Sequence, residues 1–274
     1  MKLSYRTDKN ASAIAAAWGK PIDDREPYTI KALSEDSTEL FIFDVLGFPF
    51  NDINGLIRDI SAIKSNSLLV RLNSPGGDII DSIALYQALK NHSSRVTVRI
   101  EALAASAASI VALAGQEVQA YSTSLMMIHN AWVVAVGNRF ELQDISDILE
   151  KIDINMQDVY TAKTKIGKRE MSDMMKNETW MNAKEMKAKG FIDTILDGKA
   201  AKADFDLSIY GNTPEGYGQG ESTEREKERA LRDVGFSQKE AKAILAGRKE
   251  GTQRDVEGIQ AITERVKLNL TGGK

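Results

Sequence analysis

Residues 68–78, LLVRLNSPGGD, and residues 96–109, VTVRIEALAASAAS, decide the fold. In each, an apolar run is followed by a change of local chemistry. Leu68 to Leu72 reads as a strand, ended by Pro75 and the Gly76-Gly77 turn. Asp78 can cap the helix that follows, whose Ile79, Ile83 and Tyr86 share a face. Val96, Val98 and Ile100 alternate as the next strand. Ala105 to Ala114 reads as a helix of small residues closed by Gly115. Strand, turn and helix thus recur in succession.

The same alternation extends outward. Upstream, Leu40 to Leu46 reads as a buried strand, and residues 51–64 carry Ile53, Leu56, Ile57, Ile60 and Ile63 at helical spacings. Downstream, Val118–Tyr121 and Leu125–Val133 read as strands. A long amphipathic helix is expected from Arg139 to Ile166, ended by Gly167. Its Leu142, Ile145, Leu149, Ile152, Met156 and Val159 advance by alternate steps of three and four. Such a seam suits packing against another helix, either within the core or across an oligomer interface. A shorter helix and Glu178–Ile195 complete the compact part.

Strands alternating with helices predict an α/β domain with a largely parallel sheet. The expected organisation is an N-terminal segment over 1–37, the α/β domain over 38–197, a Gly-rich linker over 198–224 and a charged helical tail over 225–274. The tail's mixed charges suit a solvated helix face, and Ser237 and Glu240 have capping-box spacing.

Composition narrows the function classes. The chain has 274 residues, is 42% hydrophobic and carries a net charge of −3, which gives no reason to expect nucleic acid or an anionic membrane as a partner. It has no cysteine, which removes thiol chemistry and cysteine metal sites. No apolar run approaches the ~18 residues of a membrane span, and the N-terminus lacks a signal-peptide core, so a cytoplasmic location is expected.

Ser106 opens the small-residue helix, where free backbone amides and a partial positive charge favour developing negative charge. Alone it could simply be a packing residue. With a glycine turn before it and a histidine after it, it reads as a nucleophile. The base must exchange a proton near neutral pH, and the chain has two histidines. His92 lies in a polar helix-to-strand turn, whereas His129 lies in the apolar run 125–133, so His129 is selected. The amide of Ala107 is the natural oxyanion donor, and the Gly76-Gly77 turn is suited to supply a second.

The ordered motifs SPGGD, AASAAS, MMIHNAW and ETWMNAKEMKAKGFID resemble those of the Clp-type serine peptidases. The likeness spans roughly residues 38–197 and is nearest to the phage branch that acts as head maturation (prohead) protease. The charged tail also resembles an extension found on that branch. The resemblance implies a ClpP/crotonase-like stack of ββα units with a long handle helix, assembled into a ring-forming homo-oligomer. It maps the nucleophile to Ser106, the base to His129 and the oxyanion amides to Gly77 and Ala107. It places the acid on Glu178, where the family usually has Asp, with Asp173 as the alternative. No metal or organic cofactor is implied. The implied activity is acyl-enzyme cleavage of protein or peptide substrates, with scaffold and capsid proteins as the expected targets in the host cytoplasm or inside the prohead. Competing readings are a housekeeping Clp-type subunit working with an ATPase, a non-catalytic assembly module and a crotonase-like acyl-CoA enzyme.

Overall fold

The computed structural model describes residues 28–133, 135, 137–198, 205, 207 and 209–214, together with Ala11, Ile14, Ala15 and Trp18. The chain divides into two compact units, Ile22–Gln219 and Met1–Pro21 with Gly220–Lys274. In the second, Trp18 donates its amide to the Ile14 carbonyl at 3.1 Å. The tail expected over 225–274 lies outside the described residues.

The larger unit is built on an eight-stranded sheet. Its path runs β1 (Tyr28–Ser34), β2 (Ser37–Ile42), β3 (Ser67–Ser74), β4 (Arg95–Ala105), β5 (Glu117–Tyr121) and β8 (Thr194–Leu196). Off this path, β6 (Leu125–Ile128) pairs with β4, and β7 (Thr179–Asn182) pairs with β6. The pairings β2–β3, β3–β4, β4–β5, β5–β8 and β4–β6 are parallel, whereas β1–β2 and β6–β7 are antiparallel. The expected α/β class with a largely parallel sheet is therefore found. The sheet begins at Tyr28, inside the segment read as preceding the domain.

Period-two alternation builds the core. Leu40 and Ile42, Leu68, Val70 and Leu72, and Val96, Val98 and Ile100 all point to one face and are buried. Burying each such side chain contributes about 1.5–3 kcal/mol. Helices α1 (Ile53–Ala62), α2 (Ile79–Lys90) and α3 (Ala107–Ala112) contribute buried residues to the same core. Asp78 caps α2 as expected, accepting from the amides of Ile80 and Asp81. The buried face of α2 is Ser82, Leu85 and Leu89, not Ile79, Ile83 and Tyr86, which are half-buried. Its apolar residues are spread round the helix, so spacing alone did not orient it.

β4 forks. Thr97–Ile100 pair with β5, while Leu103–Ala105 pair with β6. The buried Ser124 hydroxyl sits in the fork and donates to the carbonyls of Ile100 and Glu101. On the β3 side the register slips between Leu72 and Ser74, and the Asn73 side-chain oxygen accepts the Leu103 amide. β4 is thereby extended to Ala105, and α3 begins at Ala107 rather than at Ala105. Sheet pairing to Met126 and Met127 outweighs the helix propensity of Ala104 and Ala105. For the same reason the strand read as 125–133 stops at Ile128, where pairing to β7 ends. The strand read as 40–46 ends at Ile42; Val45 and Leu46 remain buried in a loop.

α4 (Arg139–Thr164) is the long helix expected. It opens on a capping box formed by Asn138 and Glu141. It stops at Lys165, which takes the left-handed conformation, while Gly167 serves as N-cap of α5 (Lys168–Lys176). Only Met156 and Tyr160 of α4 are buried. α6 (Ala183–Lys189) opens on a second capping box, Asn182 with Glu185, and ends at Gly190 in the left-handed region.

The Gly76-Gly77 turn is locked against the loop after β2. Leu46 donates to the Gly76 carbonyl at 2.7 Å, and the Asp78 amide donates to the Leu46 carbonyl at 2.8 Å. Gly77 has φ +147°, and a Cβ there would lie 2.0 Å from the Leu46 carbonyl oxygen. Backbone cannot yield as a side chain does. Gly77→Ala is therefore expected to destabilise the fold by about 3 kcal/mol or more, measured as a lower urea midpoint. A midpoint equal to wild type would show that the Leu46 loop is not locked.

Candidate active site

The parallel pairing of β4 and β6 fixes the site. Ala105 is in register with Met127, and the Ser106 amide donates to the Met127 carbonyl at 2.9 Å. The two chains leave the sheet side by side. Ser106 follows immediately on one, and His129 follows Ile128 on the other. The Ser106 Oγ and His129 Nε2 are 2.7 Å apart.

Ser106 is not within the helix but on the elbow before it, at φ 54° and ψ −127°. Non-glycine residues rarely adopt this backbone, which holds Oγ clear of both strand and helix. Its carbonyl accepts from the Ser109 amide at 2.9 Å and from the Ser109 hydroxyl at 2.5 Å. Ser109 in turn shares a 2.7 Å hydrogen bond with the Tyr160 hydroxyl on α4. Tyr160 is wholly buried, and burial pushes its phenol well above the ordinary range.

Gly76 leaves room for the elbow. At its φ of +110°, a Cβ would stand 2.7 Å from the Ser106 Cβ and 2.9 Å from the Ala105 carbonyl oxygen. Among the described residues, neither the Gly77 nor the Ala107 amide has a hydrogen-bond partner. Both are thus available as donors near the serine elbow.

His129 is half-buried just past the end of β6, not inside the strand. Burial lowers its pKa below the ordinary 6.5, while the charges of Glu178 and Asp153 act in the opposite direction. The net direction is downward, so the imidazole is neutral at pH 7 and can accept the serine proton through Nε2.

Glu178 occupies the turn between α5 and β7, at φ 48°. Its carboxylate accepts from the Trp180 indole at 3.3 Å, the Gly211 amide at 3.0 Å and the Asn212 amide at 2.6 Å. It acts on His129 through its charge; among the described residues the imidazole hydrogen-bonds no carboxylate. Asp173 is exposed on α5 and is not among the charges that act on His129.

Two contributors were missed in the sequence. Asp153, on α4, accepts from the Ala131 amide at 2.7 Å and from the Asn130 side chain at 2.5 Å, holding the loop after His129. The heptad reading treated α4 only as an apolar seam. Tyr210 is buried with its ring edge-to-face on His129 at 5.5 Å, although it falls in the stretch read as linker. No local pattern marks a single tyrosine among glycines as packed.

The Clp protease family description matches residues 56–199, more than half of the chain. The chain belongs to the Clp protease family. It is 26% identical to ATP-dependent Clp protease proteolytic subunit 1 of Protochlamydia amoebophila (strain UWE25), over 69% of this chain and 91% of that protein. Its identity to the proteolytic subunit of Chlorella vulgaris is 27%, over 53% and 74% of the two chains. To proteolytic subunit 1 of Chlamydia abortus (strain DSM 27085 / S26/3) it is 30%, over 46% and 67%. Membership implies a serine peptidase, and the fold agrees with that family's. Among the described residues, no cluster of His, Cys, Asp or Glu could hold a metal ion, and no helix is long and apolar enough to cross a membrane.

The electrostatics give a signed prediction. Glu178 raises the His129 pKa, so Glu178→Gln should move the His129 titration, followed by NMR of the imidazole, to lower pH. An unchanged or higher midpoint would show that the carboxylate does not act on the ring. The folded chain also binds this proton less readily than the unfolded chain. The stability His129 contributes is therefore full above about pH 6.5 and declines as pH falls towards the lowered value.

Proposed function

We propose that the protein is a serine endopeptidase in which Ser106 is the nucleophile and His129 its general base. The 2.7 Å contact between Ser106 Oγ and a neutral His129 Nε2 carries this reading. His129 takes the hydroxyl proton as Oγ attacks the peptide carbonyl, then returns it to the leaving amine. Water repeats the cycle on the acyl-enzyme. The amides of Gly77 and Ala107 are the proposed donors to the oxyanion, a role that in comparable sites amounts to about 3–4 kcal/mol per donor. Glu178 stabilises the imidazolium by its charge, with Asp153 as a second negative group. Asp173 has less support, given its exposed position.

The working form is proposed to be a homo-oligomeric ring. Met156, Ile152 and Val159 of the α4 seam pack on the core, but Leu142 of the seam and Ile148 and Ile154 beside it are exposed, leaving apolar surface on the helix uncovered in one chain. The substrate is a protein or peptide. The finer proposal, scaffold and capsid proteins of a phage head, rests on the sequence resemblance described above. The names of the relatives carry nothing specific to a phage and are compatible with a housekeeping Clp-type subunit partnered by an ATPase.

Fluorophosphonate labelling followed by peptide mass mapping tests the nucleophile. Ser106 is expected to be modified, and His129→Ala should slow this by about 10²-fold or more. Modification elsewhere, or labelling indifferent to His129, would reject the assignment. In peptide hydrolysis, Glu178→Ala should lose most activity and Asp173→Ala should keep it; the reverse would transfer the acid's role to Asp173.

A further inference from the structure

The space beside Ser106 and His129 is filled by the chain itself. Ile209–Pro214 returns across the site with Tyr210 inserted, only 6% exposed. The Tyr210 hydroxyl donates to the Pro75 carbonyl in the glycine turn, close enough to Ser106 for the serine hydroxyl to act on the phenol. Its ring stands edge-to-face against His129 at 5.5 Å and against Trp180 at 6.0 Å. Burial raises its phenol pKa, so it stays neutral and retains its proton for donation.

The backbone on either side is also engaged. The amides of Gly211 and Asn212 donate to the two oxygens of Glu178, and the Asn212 side chain donates to the Asn177 carbonyl. Thr213 closes the turn by donating from its hydroxyl to the Leu207 carbonyl at 2.9 Å. The buried Leu207 lies just before the segment, and the Tyr210 amide donates to its carbonyl. An aromatic side chain against His129, a hydroxyl on the glycine turn and two amides on a carboxylate make a built contact, unlike a linker passing over a surface.

We propose that Ile209–Pro214 is a cis-acting occupant of the peptidase site, with Tyr210 seated where an aromatic residue of a bound peptide would lie. Docked, it covers Ser106 and ties up Glu178, so the folded chain is latent. Displacing or severing the segment opens the site. The inference rests on the peptidase reading of Ser106 and His129. It also assigns the class of side chain that the space between Pro75, His129 and Trp180 accepts, namely a neutral aromatic one.

The full-length chain tests this through the rate of fluorophosphonate labelling at Ser106. Tyr210→Ala should label at least tenfold faster than wild type, and Tyr210→Phe, which keeps the ring and loses the hydroxyl, should fall between them. In Tyr210→Ala, millimolar N-acetyl-tyrosinamide should slow labelling more than N-acetyl-alaninamide does. Equal or slower labelling of Tyr210→Ala, with wild-type labelling still dependent on His129, overturns the plug and leaves the peptidase reading standing. Absence of labelling in both chains overturns both. A measurement without substitution covers the case in which the variants misfold. Phosphonylated Ser106 and docked Tyr210 exclude each other, so the Gly211 and Asn212 amides should exchange with deuterium at least tenfold faster in modified wild type. Undiminished protection overturns the proposal.

Discussion

The site depends on one stretch of backbone pairing, the three-residue parallel ladder between β4 and β6 that puts Ala105 beside Met127. Parallel strands end on the same side of a sheet, so residues that follow each strand emerge together. A slip of one residue would turn every side chain to the opposite face and separate serine from histidine. The ladder is held from three directions. Ser124 fills the fork where β5 and β6 diverge, Asn73 anchors the slipped register with β3, and β7 pairs along the other edge of β6. The Ser106 amide, bonded to Met127, extends the pairing up to the elbow itself.

α4 serves the same geometry from outside the sheet. Tyr160 reaches the elbow through Ser109, and Asp153, two turns earlier, grips the backbone after His129. One helix therefore braces the backbone next to both Ser106 and His129. Its far end, by contrast, carries apolar residues that the single chain leaves uncovered.

Much of this was legible in the sequence because it rests on local chemistry. Proline and paired glycines end β3, Asp78 caps a helix, and strict alternation marks Val96, Val98 and Ile100. The nearness of Ser106 to His129 was also legible, since order and context singled the two out. What escaped depends on partners distant in sequence. The Ala-Ser run reads as helix from Ala105, and only pairing to Met126 and Met127 draws it into the sheet. The apolar run after Leu125 looks like a strand to Val133, and only the end of β7 shows why it stops. Asp153 and Tyr210 carry no local signature of the contacts they make.

Glu178 shows why residue type alone does not settle a part in the site. Glu178 is one methylene longer than an aspartate, and its own backbone lies in the left-handed region. Three N–H donors converge on its carboxylate, two from the backbone of Gly211 and Asn212 and one from Trp180. Donors of this kind compete for the lone pairs that an imidazole N–H would otherwise meet. The carboxylate therefore reaches His129 through space, and burial of the ring outweighs that attraction. An imidazole held neutral by burial, beside a carboxylate already supplied with donors, fits the proposal that the chain's own segment occupies the site.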